Sequence, residues 1–390
     1  MPNAPRKLLS IAHSYVVALN RQLPAELVRA GDGRWQITVV APRRFVNSND
    51  GRLIDFQPTA GANFALEVID VTLPGSTHLF TYRRRLKELC RERWDLIHAW
   101  EEPYVAAGWQ IARIAPPGTP MVFWTAQNLS KRYPPPFGYF ERATVARASG
   151  WLACGQSIAQ TLLHRPGYAD RPHEVAPLGV DPDRFAPNPR QGREILRQLD
   201  WSEAGPGVIG YLGRFVPEKG LRILTAAVDG LRCDWRMLLV GAGPMEPELQ
   251  AWASRHGGRV RICSHVPHDQ VPMFLNAMQI LVAPSLTTRH WREQFGRMLV
   301  EAMSCQVPVI GSDSGEIPYV IGSAGVIIPE GDPAALTAVL ARLLESPRER
   351  SELAAAGRQR VLEQFSWPVI ARRTLAFFDR IVDDHSSRSR

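Results

Sequence analysis

Cysteine is scarce in this chain: five residues in 390, at positions 90, 154, 233, 263 and 305. The count is odd and no two have CxxC spacing, which argues against a disulfide-stapled scaffold and a cysteine-built zinc site. Four of the five lie in apolar segments, where cysteine serves as a small core residue. The ten histidines form no HExxH pair. His265 and His268 are close, but no carboxylate or thiolate at ligand spacing accompanies them, so no metal is expected. Long apolar runs are also missing. No stretch of about 18 apolar residues exists, and 103–115 is short and broken by Arg113, so no membrane-crossing helix is expected. The first 30 residues lack a signal-peptide pattern: 8–12 is too short an apolar core and no small-residue cleavage site follows. A cytoplasmic location is the expectation. No GxGxxG follows a strand, and the glycines at 241 and 243 come without a Walker lysine, which weakens NAD and ATP readings.

What is present is ordinary globular composition, 45% hydrophobic and 22% charged. At about 150 residues per domain the length suggests two domains. The net charge of +8 is uneven, with +7 on residues 1–180 and +1 on the remainder. A basic first half suits an anionic partner, either a membrane surface, a phosphorylated acceptor or nucleic acid, or else is a solvated basic surface. Nucleic acid is the least favoured, because no recognition motif accompanies the charge.

Short β-rich runs alternate with helix-period segments. Strands are expected at 8–13, 35–41, 64–73, 95–100 and 121–126, with helices at 17–30, 79–94 and 104–114. Around 177–206 prolines punctuate a polar stretch, which reads as a linker over 181–206. The alternation then restarts, with strands at 208–213, 235–241, 259–263, 280–284 and 307–312 and helices between them. Helices at 334–345, 348–365 and 368–382 close the chain. Repeated βαβ units predict an α/β protein of two doubly wound, Rossmann-like domains, 1–180 and 207–367, facing a ligand cleft.

Three segments carry chemistry. In Glu293-Gln294-Phe295-Gly296-Arg297-Met298-Leu299-Val300-Glu301, two carboxylates flank a helix start at Gly296. A helix N-terminus offers free N–H groups to phosphate, glycine permits close approach, and a carboxylate can hold vicinal hydroxyls. Alternatively the two acids are merely solvated on an amphipathic helix. In Gly210–Gly220, Gly213 ends a strand, and Arg214 and Lys219 are placed to bind a diphosphate or to sit as surface cations. The loop 263–267 could hold a nucleobase beside His265, or leave that histidine exposed.

Gly213-Arg214 with Lys219, then Ala283-Pro284-Ser285, then Glu293 to Glu301 continuing through 302–321, resemble a family 4 glycosyltransferase of GT-B fold. Pro177-Leu178-Gly179-Val180-Asp181 with Phe185 is similar to that family's interdomain signature. Phe365-Ser366-Trp367 resembles the phrase before its last helix, which crosses back to the first domain (368–385 here). The resemblance is dense over 175–370 and diffuse before it. It implies retaining transfer from a nucleotide sugar, UDP- or GDP-linked, with no metal or other cofactor required. Arg214 and Lys219 would neutralise the diphosphate, with Glu293 on the transferred sugar and Glu301 on the ribose. Gly213, His265 and Val266 would complete the donor site, together with the backbone of Phe295, Gly296, Arg297 and Met298.

Two departures concern the first domain. Ala12-His13-Ser14-Tyr15 stands where many members have a glycine-rich loop, and Thr125-Ala126-Gln127-Asn128 where many have a histidine. Gln127 can hydrogen-bond a sugar but cannot act as a base. His13, Glu101, Gln127, Asn128 and Lys131 are the expected acceptor-binding residues, with Glu102 beside them. The acceptor is expected to be a glycan or a lipid-linked sugar of envelope or exopolysaccharide synthesis. The basic segment 81–94 and the apolar loop 133–140 would let the first domain lie on an anionic membrane. The rival readings are another GT-B nucleotide-sugar enzyme, such as a sugar-phosphate synthase or epimerase, and a non-catalytic nucleotide-sugar-binding protein.

Overall fold

The computed structural model describes residues 4–46, 51–59 and 61–388. The chain divides into two units. Unit 1 runs to Pro177 and takes back the chain from Trp367 onward; unit 2 is Leu178–Ser366.

Unit 1 is built on a seven-stranded parallel sheet: β1 (Arg6–Ile11), β2 (Trp35–Pro42), β3 (Ala65–Ile69), β4 (Leu96–Ala99), β5 (Met121–Thr125), β6 (Gly150–Ala153) and β7 (His173–Val175). Their order is β7-β6-β5-β4-β1-β2-β3. The central strands are covered on both faces, so their residues are apolar almost without alternation: Leu8, Leu9, Ile11, Leu96, Ile97, Met121, Val122 and Phe123 are all buried.

Unit 2 repeats the plan in six strands: β8 (Val208–Leu212), β9 (Arg236–Val240), β10 (Val260–Cys263), β11 (Ile280–Ala283), β12 (Val309–Ser312) and β13 (Val326–Ile328). The order is β10-β9-β8-β11-β12-β13, all parallel.

Several elements differ from the sequence expectation. The expected helix 79–94 contracts to Arg84–Cys90, because Thr81–Tyr82 pairs antiparallel with Val71–Thr72. Gln110 fixes that hairpin from the side: its amide accepts from Tyr82 N at 2.8 Å and donates to Tyr82 O at 2.7 Å. The expected linker 181–206 is an integral part of unit 2. Asn188 caps a helix at Pro189–Gln198 by accepting from Gln191 N. That helix buries Ile195 and Leu196, and Trp201 is buried just beyond it. Pro189 opens that helix at its first position rather than marking an open tether. The C-terminal helix Trp367–Arg388 packs on the helix Gln22–Gly31 of unit 1.

Candidate active site

In each sheet the strand order reverses once, between β1 and β4 in unit 1 and between β8 and β11 in unit 2. Loops leaving the carboxyl ends of such neighbours diverge in opposite directions and open a crevice. The chemistry-bearing side chains gather at these two places.

In unit 2, Gly213 ends β8 with φ +152° and Gly220 opens the next helix with φ +70°. Between them, Lys219 Nζ donates to Glu293 Oε2 at 2.6 Å. Glu293 comes from the loop after β11, and Ser285 Oγ donates to the same oxygen at 2.9 Å. Lys219 also lies 4.9 Å from the centre of the Trp291 ring. Both members of the ion pair are nearly enclosed, with 12% and 8% of their side-chain surface exposed. Arg214 is exposed, and no carboxylate pairs with it among the described residues.

Gly296 takes φ +79° and caps the helix Arg297–Ser304. Phe295 and Met298 are buried and Arg297 is half-buried. Glu301 is buried in the second turn of that helix. Its Oε1 meets His268 Nε2 at 3.0 Å, and Arg184 stands 3.2 Å from His268 Nδ1. His265 is exposed in the left-handed region, φ +60°, and Val266 is half-buried beside it. The unit thus brings Lys219 with Glu293, and Glu301 with His268. It leaves Arg214 and His265 apart from these pairs, facing solvent.

In unit 1, His13 follows β1 and Glu101 follows β4. Glu101 accepts from His13 N and from His13 Nδ1, both at 2.6 Å, and from Tyr82 Oη at 2.7 Å. Phe45 and Phe80 flank the imidazole at 4.9 and 5.4 Å between ring centres. Burial acts to lower the His13 pKa, but the charge and hydrogen bond of Glu101, with the Glu102 charge, outweigh it and raise the pKa above 6.5. Burial drives the Tyr82 phenol far above its ordinary value. Glu102 turns the other way, accepting from Thr125 Oγ1 at 2.6 Å and Ala126 N at 2.8 Å. Burial pushes its carboxyl up to about 7 despite those two bonds.

Gln127 and Asn128 are buried. Gln127 spends its side chain locally, donating to Tyr133 Oη at 2.5 Å and accepting from Leu129 N at 2.9 Å. Lys131 is exposed, 5.5 Å from the Tyr133 ring centre. His13, Glu101 and Glu102 therefore form one cluster, while Gln127 is turned into a loop held by Tyr133.

Among the described residues no three His, Cys, Asp or Glu side chains are grouped to hold a metal ion. Nor is any helix long and apolar enough to cross a membrane.

Comparison with known families fits this geometry. Residues 206–346 match the model for glycosyl transferases group 1, and residues 21–184 match that for Glycosyltransferase Family 4. The two matches together take in most of the chain. It belongs to the group 1 glycosyltransferases of GT-B fold.

Among its relatives within that family is the MMP alpha-(1->4)-mannosyltransferase of Mycolicibacterium hassiacum, 32% identical over 66% of this chain and 60% of the relative. Another is the 2-deoxystreptamine glucosyltransferase of Streptomyces kanamyceticus, 28% identical over 62% of this chain and 63% of the relative. The match thus spans about three fifths of these relatives' lengths. The fold is shared with the Anabaena protein HepE, solved in complex with UDP and glucose, at a TM-score of 0.71 and 18% identity, covering 96% and 100% of the two chains. Sucrose-phosphate synthase of Thermosynechococcus elongatus gives a TM-score of 0.72 at 21% identity, covering 97% and 100%.

Sequence reasoning missed several residues in these clusters. Ser285, Trp291 and His268 join across gaps of 8 to 72 positions, which no local pattern reveals. Arg21 was also missed. It is buried, and its guanidinium bonds Tyr15 O, Gln57 O and Thr59 Oγ1, pinning the loop that carries His13. This anchoring stands where the family pattern has glycines. Its only signal was an arginine immediately before a helix start.

Proposed function

We propose that this chain transfers a sugar from a nucleotide-sugar donor to a glycan or glycolipid hydroxyl, with retention of anomeric configuration. The observation that carries this reading is the enclosed Lys219–Glu293 pair at the strand reversal of unit 2, beside the open helix start at Gly296. A departing diphosphate needs preorganised positive charge. Lys219 and Arg214 supply cations, and the helix N-terminus supplies N–H groups. Glu293 would then share Lys219 with the donor and hold the sugar's hydroxyls. Glu301 has its Oε1 committed to His268, so the ribose would take Oε2.

UDP and GDP both fit as carriers. HepE was solved with UDP, and a Corynebacterium glutamicum relative is named as GDP-mannose-dependent and as acting on a phosphatidylinositol monomannoside. The same name supports a lipid-linked acceptor in envelope synthesis for this chain, and so a cytoplasmic enzyme that visits an anionic membrane surface. The exposed arginines at 84 and 85 suit that surface, although Glu88 and Glu67 pair with them and dilute their charge.

Thermal unfolding with UDP, GDP, ADP and their sugar conjugates, with and without EDTA, tests the reading. One nucleotide should raise the melting temperature selectively, since a ligand of the native state stabilises it by mass action. EDTA should not alter the shift. Proton NMR of the product's anomeric signal then reports retention or inversion. No shift with any nucleotide would remove the donor site from unit 2.

A further inference from the structure

We propose that the imidazole of His13, gripped by Glu101, is an oxyanion site that donates its Nε2–H to a phosphate oxygen. The inference rests on the glycosyltransferase reading and deepens it. Glu101 has only 1% of its surface exposed and accepts three hydrogen bonds, two of them from His13. All three bonds have Glu101 as the acceptor, as suits a carboxylate. An enclosed carboxylate needs a partner charge. No lysine or arginine pairs with Glu101 among the described residues, and the His13 imidazolium is its only ion-pair partner there.

The rest of the setting agrees. Glu101 occupies Nδ1, and Nε2 has no partner among the described residues, while 29% of the side chain remains exposed. The imidazolium is therefore fixed in orientation with one donor left for a ligand. Phe45 and Phe80 exclude water from its flanks, which strengthens a charged hydrogen bond. The titratable groups facing it are Glu101 and Glu102 from the loop after β4, Tyr82 from the hairpin, and Tyr15 from its own turn. Glu102 is held near neutrality by burial, so it opposes an anion only weakly below pH 7. A phosphate at this site could come from a nucleotide or from a phosphorylated acceptor.

The test uses the whole chain with ¹⁵N-labelled histidine, and His13 signals assigned by their loss in H13Q. Inorganic phosphate, mannose 6-phosphate, UDP and GDP are titrated in turn. At pH 6.5 at least one should move the His13 signals saturably, and E101Q should weaken that binding at least fivefold at pH 7. Movement by UDP or GDP but not by mannose 6-phosphate assigns a nucleotide's diphosphate. Movement by mannose 6-phosphate but not by the nucleotides assigns the acceptor. His13 signals unmoved by all four probes overturn the proposal, as does undiminished binding in E101Q. Should E101Q fail to fold, the probe that moves the His13 signals is titrated calorimetrically into H13Q at pH 6.5, and an affinity equal to wild type overturns the proposal. Nucleotide-induced thermal shifts that persist while His13 stays silent would leave the glycosyltransferase reading intact and sink this one alone.

Discussion

Lys219 ends the short 3-10 turn Pro217–Lys219, and a lysine at such a place is ordinarily removable at little cost. Here its partner Glu293 is buried, and removing the ammonium takes the bonded counter-charge from an enclosed carboxylate. Breaking a buried pair from one side costs on the order of 3 kcal/mol. K219M should therefore lose about that much stability in urea unfolding, together with at least a roughly hundredfold drop in turnover. K219M/E293Q should recover most of the stability and none of the turnover. A double variant as unstable as the single one would refute the ion-pair account. Three buried groups set the pH response. His98 is lowered by burial to about 3, so the native state loses stability as pH falls below 6.5. His13 is raised, so its contribution is full below 6.5 and fades as pH rises through its folded value. Glu102, raised from 4.5 to about 7, contributes fully below 4.5 and loses that contribution as pH climbs to 7. Glutamine can accept from Ala126 N and donate to Thr125 Oγ1, so E102Q keeps both contacts without the charge. Its stability relative to wild type should grow between pH 5 and pH 8 by roughly 2–3 kcal/mol.

At the level of elements, the buried parallel strands were legible because burial on both faces leaves nearly continuous apolar runs. The three-residue strands β7 and β13 and the two-residue strand Thr81–Tyr82 were not, since such runs are shorter than any periodicity. The helix Pro189–Gln198 was hidden for another reason. Its sequence is polar apart from Ile195 and Leu196, and its seat is a close backbone approach rather than a broad apolar face. A Cβ on Gly192 would lie 2.1 Å from Asn276 O. Alanine in a helix interior normally gains about 1 kcal/mol over glycine. The clash should reverse the sign, and G192A should destabilise unit 2 by about 1–3 kcal/mol in denaturant unfolding. Stabilisation by G192A would show that this helix can move freely away from Asn276.

On the scale of the whole molecule, the C-terminal helix completes a core whose strands were laid down some 340 residues earlier. Asp379 accepts from Trp35 Nε1 at 3.1 Å and pairs with Arg6. Ile370, Leu375, Phe377, Phe378 and Ile381 are all buried. At about 2 kcal/mol for each fully buried side chain, the helix contributes on the order of 10 kcal/mol, comparable to a domain's net stability. Ending the chain at Ser366 should therefore unfold unit 1 while unit 2 persists. Limited proteolysis would show this as cuts confined to residues before Leu178, and uniform protection would refute it.

The sequence by itself determined the alternation of strand and helix, the restart of that pattern near 208, and the ordered motifs from Gly213 to Glu301 that mark the family. These are local properties: runs, spacings and phrases within a few turns of chain. Only the tertiary structure decided that Lys219 is enclosed with Glu293 and capped by Trp291, that Glu301 is engaged by His268, and that His13 is held by Glu101 and Tyr82. It also turned Gln127 into its own loop and made 181–206 part of a core. The Lys219–Glu293 and His13–Glu101 contacts depend on the reversal of strand order, which brings loops 74 and 88 residues apart to the carboxyl ends of neighbouring strands. No local pattern encodes that juxtaposition, because the residues meeting there share a position in space and nothing in sequence.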